Sequence, residues 1–139
     1  LTTVYVDTSA LLPLLDQDDE DHGTVVAEVR RLAEAGDSLV TTSYTLVEAG
    51  ALVRNRLGMA AFEALGQTVD RALDVVWVDE ELHRQAWRHA AEEPRRGASL
   101  VDWVGFLVMR DLKIGEALAL DQDFRRQGFA VRPAAGGET

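Results

Sequence analysis

Apolar positions recur along this chain in two rhythms, short β-rich runs and longer stretches of helical period, and polar residues gather where one gives way to the other. Val4, Tyr5 and Val6 are followed by Asp7, Thr8 and Ser9, and Ala10–Leu15 then resumes with helical composition, so a strand breaks directly into a helix. Thr24–Ala35 sets Val25, Val29, Leu32 and Ala33 on one helical face and stops at Gly36. Leu39–Thr42 reads as a second strand, Ser43–Arg56 as the next helix, and Gly58 separates that helix from another over Met59–Leu73. Val75–Val78, the run VVWV, predicts a third strand buried on both faces. Glu80–Glu93 predicts a polar surface helix, and the helix Leu100–Leu112 is apolar nearly all round and is expected to be central. Ala117–Leu120 and Phe129–Val131 supply the last two strands, and Pro133–Thr139 reads as a frayed tail.

Strands alternating with helices imply βαβ units. The expected fold is α/β, a single domain with a mostly parallel four- to five-stranded sheet and helices on both faces. No repeat, low-complexity block or linker marks a boundary, so the domain is expected over 1–132 with a flexible tail at 133–139.

Length and composition narrow the class without naming a function. A domain of 139 residues buries roughly 70% of its unfolded surface, enough for a self-sufficient core. No apolar run approaches the roughly 20 residues that span a bilayer, and no basic region followed by an apolar stretch opens the chain. With no cysteine there are no disulfides and no thiolate metal sites, and a cytoplasmic protein without a membrane segment is expected. The start at Leu1 in place of methionine points to a processed, trimmed or alternatively initiated chain. A net charge of −10 argues against a protein that coats nucleic acid, though not against a local basic groove. All but one of the 14 cationic side chains are arginine, Lys113 being the exception, which favours bidentate contacts with phosphate or carboxylate.

Most of the polar residues have a local explanation. Asp16–Asp21, DQDDED, fits a solvated loop and the first turn of the next helix, where acid complements the helix dipole, and it lacks the glycine and terminal glutamate of an EF-hand loop. His83 and His89 are six residues apart, off the i, i+4 spacing of a helical metal pair, and read as surface histidines. Asp7, Thr8 and Ser9 fit an N-cap cluster, while Thr45 with Glu48 and Ser99 with Asp102 both fit capping boxes.

Position gives four of these acids a second reading. Asp7, Glu48, Asp102 and Asp121 all fall at a strand end or in the first turns of a helix that follows one or follows a loop. In a parallel sheet such places share one edge, where open α/β sheets bind their ligands. Two like charges about 4 Å apart cost about 4 kcal/mol at an effective dielectric near 20, so a clustered set calls for a cation. Oxygen donors with no cysteine or paired histidine favour Mg²⁺ or Mn²⁺ over zinc.

Three stretches carry a family resemblance that spans essentially the whole chain: VYVDTSALLPLL, TTSYTLVEAGALVRNR and GASLVDWVGFLVMRDLKIGEALALDQDFRRQGF. In their order and spacing they make the sequence resemble the PIN-domain ribonucleases, specifically the VapC toxins of prokaryotic toxin–antitoxin pairs. By that resemblance Asp7, Glu48, Asp102 and Asp121 match the family's four acidic positions, Ser9 its small hydroxyl, and Asp123 a position that is acidic in some members. The resemblance implies Mg²⁺- or Mn²⁺-dependent endoribonuclease chemistry, with Asp7, Asp102, Asp121 and Glu48 around the metal and Ser9 and Asp123 in support. It also implies an RNA substrate, a cognate VapB-type antitoxin and a homodimer. Arg54, Arg56, Arg88, Arg95 and Arg96 are candidate RNA contacts, each also readable as surface charge. The alternative is a catalytically silent PIN-like module that binds RNA or protein. A phospho-acceptor receiver domain fits poorly because Thr8, not a second acid, follows Asp7, and a haloacid-dehalogenase-type phosphatase because Ser9 stands where its second aspartate belongs.

Overall fold

The protein is described by a computed structural model in which residues 1–133 are defined. Five parallel strands, β1 (Thr3–Val6), β2 (Ser38–Thr42), β3 (Leu73–Val76), β4 (Glu116–Leu118) and β5 (Ala130–Arg132), form one sheet in the order β3-β2-β1-β4-β5. The chain starts at the centre of the sheet, works outward to one edge, then returns to build the other half beside β1. The helices are α1 (Thr8–Leu15), α2 (His22–Glu34), α3 (Ser43–Leu57), α4 (Met59–Ala72), α5 (Glu80–Ala91), α6 (Leu100–Asp111) and the single turn α7 (Asp123–Arg126).

Strand alternation divides the core into two layers. Val4, Val6, Leu39 and Leu118 face α1–α4 and pack with Leu11, Val25, Leu32, Ala49, Val53 and Leu65. Tyr5, Val40, Ala117 and Ala119 face the other way, against Ala86, Trp103, Val104, Phe106, Met109 and Phe124 of α5–α7. The expected α/β class, with a parallel sheet covered on both faces, is therefore the fold observed.

Tyr5 is the largest fully buried side chain, and its hydroxyl lies 3.0 Å from the Thr45 hydroxyl and 3.4 Å from that of Thr42. Its ring runs so close beneath α6 that a Cβ at Gly105 would lie 2.9 Å from the Tyr5 oxygen. Absence of a side chain at Gly105 thus sets how near α6, with Asp102 on its first turn, approaches the sheet. Arg132, the last residue of β5, pairs with Glu116 of β4 and, at 3.1 Å, with Glu28 of α2, tying the last strand into both halves.

Several expectations from the sequence are corrected. β3 is an edge strand, only half-buried; it ends at Val76, and Trp77 stands in solvent, because no neighbour covers its outer side. The acidic run precedes α2 without entering it: Asp16 and Asp19 each accept a backbone N–H two residues on, closing turns, and Asp21 makes no side-chain cap. Thr45 does not cap α3. Thr42 does, accepting the Thr45 N–H at 3.2 Å, so Glu48 belongs to no capping box. β4 ends at Leu118, and the turn α7 was not foreseen. Of the tail expected at 133–139, residues 134–139 lie outside the described part of the chain. Among the described residues no helix is long and apolar enough to cross a membrane.

Candidate active site

At the carboxyl edge of the sheet three acids converge. Asp7, Asp102 and Asp121 each offer one carboxylate oxygen, and these oxygens all lie within 4.8 Å of one another. Asp7 follows β1 directly and caps α1, Asp102 sits in the first turn of α6, and Asp121 follows β4 across the chain from Asp7. Because β1 and β4 are hydrogen-bonded neighbours, their ends bring the first and last of these acids together.

Each carboxylate is held by local hydrogen bonds through one oxygen. Oδ2 of Asp7 accepts the Ser9 N–H at 3.1 Å and the Ser9 hydroxyl at 2.7 Å. Oδ2 of Asp102 accepts the Ser99 N–H at 2.9 Å while Ser99 Oγ accepts the Asp102 N–H, a complete capping box. Oδ1 of Asp121 accepts the Asp123 N–H at 3.2 Å. Asp7 and Asp121 also approach each other closely enough to share a side-chain hydrogen bond. Capping and cation binding are compatible here, since the acids that make these local bonds are the same three whose oxygens converge.

Ser9 does more than hold Asp7. Its Oγ also accepts the Leu120 N–H at 2.9 Å, so one hydroxyl joins the start of α1 to the residue before Asp121. Next to it, the Thr8 hydroxyl is buried without a partner among the described residues.

The electrostatics are those of anions crowded away from water. Burial pushes the Asp7 carboxyl up to about 7, opposed by its bonds from Ser9 and reinforced by the charges of Asp121 and Asp102. Burial likewise raises Asp102 to about 6, with Asp121 and Asp123 adding to the rise. Asp121 is raised as well, again first by burial and against the Asp123 N–H that stabilises its charge. Oxygen donors that resist ionisation on their own, at this spacing, make a cluster capable of coordinating a hard divalent cation.

The other residues singled out in the sequence lie around this cluster. Glu48 is half-buried on α3 and lines a shallow apolar depression with Tyr44, Val47 and Val101; it is not one of the three acids whose oxygens meet. Asp123 opens α7 and pairs with Arg126 at 3.4 Å. Arg54 and Arg56 are exposed on the last turns of α3, and Arg56 shares a depression of about 270 Å³ with Ser9, Asp16, Asp19 and Leu120. Arg88 is exposed on α5, while Arg95 and Arg96 stand in solvent in the loop leading to Ser99. His83 and His89 are engaged separately, His83 with the Tyr44 hydroxyl and His89 stacked on Trp103 at 4.2 Å. The Tyr5–Thr42–Thr45 hydroxyl cluster beneath the site was not anticipated. Tyr5 is remote in sequence from the two threonines, and only the polar positions at the end of β2 hinted at it.

A family model described as the PIN domain matches residues 4–130. The chain is 34% identical over 132 residues to the 23S rRNA-specific endonuclease VapC20 of Mycobacterium tuberculosis, in strains CDC 1551 / Oshkosh and ATCC 25618 / H37Rv, covering 94% of this chain and 98% of that protein. The crystal structure of that toxin, described as sarcin–ricin loop cleaving, is similar with a TM-score of 0.78 at 32% identity, over 91% of this chain and 96% of the other. A chain of VapBC2 from Rickettsia felis, solved bound to a promoter DNA fragment, shares the fold with a TM-score of 0.68 at 8% identity, over 94% and 97% of the two chains.

Proposed function

This chain belongs to the PIN-domain family, and from that premise we propose that it is a Mg²⁺- or Mn²⁺-dependent endoribonuclease, the toxin of a VapBC-type pair. The observation that carries the reading is the meeting of Asp7, Asp102 and Asp121, three acids remote in sequence, with one oxygen each within 4.8 Å of the others. Burial of like charges that are only locally hydrogen-bonded is destabilising, and a fold keeps such a cluster where a cation offsets it.

Asp7, Asp102 and Asp121 would hold the ion, and Glu48, with its longer side chain, would complete the shell or orient water from α3. The ion, when bound, supplies positive charge for the scissile phosphate and lowers the pKa of an attacking water. Ser9 positions Asp7, the Ser99 N–H positions Asp102, and the Asp123 N–H positions Asp121. In this reading Arg54, Arg56, Arg88, Arg95 and Arg96 contribute phosphate contacts around the acidic edge. The domain proper is residues 1–132, it acts in the cytoplasm as a homodimer, and a VapB-type antitoxin restrains it, an antitoxin arginine being suited to pair with the carboxylates.

Because the similar VapC20 is a 23S rRNA-specific endonuclease, 23S rRNA is the first substrate to assay. Cleavage in Mg²⁺ or Mn²⁺ that is abolished by EDTA and by Asp7→Asn, Asp102→Asn or Asp121→Asn is the expected result. A folded wild type that neither cleaves RNA nor gains thermal stability from millimolar Mn²⁺ would refute the reading.

A further inference from the structure

An aromatic strip leads away from the carboxylate edge across α3 and α5. Tyr44 lies in the first turn of α3, next to the end of β2. Its hydroxyl is hydrogen-bonded to Nδ1 of His83, and the two rings meet edge to face with centroids 5.8 Å apart. Trp87, one turn further along α5, has its ring 5.7 Å from that imidazole and is 58% exposed. On its other side Tyr44 shares a depression with Glu48 and Val101, and Val101 is the neighbour of Asp102. Helix α5 runs antiparallel to α6, since Leu82 shares a depression with Val108 and Leu112 while His89 stacks on Trp103. From His83 to Trp87 the strip therefore climbs toward the end of α6 that carries Asp102.

Core packing gives no reason for this tryptophan, since α5 meets the core through Ala86, Leu82 and Ala90. The surroundings of Trp87 do. Arg84, Arg88, His83 and Glu80 line the same open depression of about 570 Å³. Its one carboxylate, Glu80, is bonded to Arg84 at 3.0 Å in a pair that is exposed on both sides and so is readily exchanged for another anion. Arg88 makes no hydrogen bond or ion pair among the described residues. A chain of net charge −10 that sets two guanidinium groups beside an exposed indole has here the chemistry that binds single-stranded nucleic acid: a π-face for a base and cations for its phosphates. A second copy of this chain would suit a depression with fewer charges, since three of these five side chains are ionic.

We propose that Trp87, held in place by His83 and Tyr44 and flanked by Arg84 and Arg88, is a stacking platform for an unpaired base of the RNA substrate. The inference rests on the nuclease reading, since it names how that site's substrate is held.

The test is binding of a short, fluorescein-labelled, mixed-sequence single-stranded RNA to the full chain in EDTA, read by fluorescence anisotropy. Trp87→Ala is expected to weaken binding about 5- to 150-fold, as loss of one base–aromatic stack does. Trp87→Tyr should retain most of the affinity, and binding of a duplex of the same length should change little. Single-strand affinity unchanged in Trp87→Ala would overturn the platform. So would sedimentation velocity showing that Trp87→Ala splits a dimer, because the face would then be an interface between copies. Asp7→Asn separates the two readings, since it should lose cleavage and keep Trp87-dependent binding. If the wild type binds RNA through Trp87 yet never cleaves any in Mg²⁺ or Mn²⁺, the platform is supported and the nuclease reading alone falls.

Discussion

Replacing Asp7 by asparagine should make the metal-free protein more stable while removing its response to metal. The native carboxyl sits at about 7 where the ordinary value is 3.8, a difference of about three pH units. At about 1.4 kcal/mol per unit this amounts to about 4 kcal/mol; part of it is shared with Asp121 and Asp102, so about 2–4 kcal/mol is the expected range. Between about pH 4 and pH 7 the folded protein holds a proton that the unfolded chain has released, so stability falls as pH rises through that window and levels off above it. An asparagine at this position has no proton to lose, and its amide oxygen can still accept from Ser9. In EDTA at pH 8 the variant should therefore melt higher than wild type by roughly 6–12 °C, at about 3 °C per kcal/mol for a domain of this size. The two should converge near pH 4. Millimolar Mn²⁺ should narrow or close that gap, since a ligand at a hundredfold excess over its Kd adds about 2.7 kcal/mol to a native state that binds it, and only the wild type keeps all three acids. Differential scanning fluorimetry across pH, with and without Mn²⁺, measures both effects. If Asp7→Asn melts at or below wild type in EDTA at pH 8, with parallel pH curves, Asp7 is not the destabilising buried carboxylate described above.

Other substitutions test the supports of the site. Ser9→Ala removes the hydroxyl bonded to Asp7 and leaves the Leu120 N–H without its acceptor, so it should cost about 1–3 kcal/mol in thermal or urea unfolding and reduce the stabilisation that Mn²⁺ confers. Gly105→Ala brings a methyl to 2.9 Å from the Tyr5 oxygen, forcing α6 outward; a loss of about 1–3 kcal/mol is expected, together with weaker metal binding through the displaced Asp102. Thr42→Ala should cost about 1 kcal/mol through the lost cap of α3. Glu48→Gln should stay within about 0.5 kcal/mol of wild type, because Glu48 caps nothing, so any fall in RNA cleavage would report on chemistry and not folding.

Most of the strands and helices could be read from the sequence because period and punctuation agree: Val4–Val6 ends at a residue that caps the next helix, and Gly58 at φ +94° separates α3 from α4. What failed depended on neighbours. The run VVWV carries no sign that its strand would lie at an edge, where Trp77 meets water and not a second layer. Thr42 and Thr45 are equally good caps in composition, and the choice falls to the one that ends β2 in an extended conformation. The acids were legible as positions on one edge, but their distances were not, and Glu48 stands apart from the three that meet. Capping and cation binding looked like rival explanations of Asp102; in the structure the residue both completes a capping box and joins the acidic cluster. His83 and Trp87 stand at helical spacing in the sequence, whereas Tyr44 reaches them only through the packing of α3 beside α5.

The position of β1 has a bearing on how the molecule comes into being. Within this domain the central strand is made before the strands that flank it, and Asp7 follows it directly. The partner strand β4 and Asp121, and the Leu120 amide that Ser9 awaits, come more than a hundred residues later. A growing chain, or one cut short anywhere before that point, carries the opening acid without the closing one. Completion of the cluster thus waits for β4 and the residues after it, and a fragment ending after α6 would hold two of the three carboxylates with nothing to bring them into register.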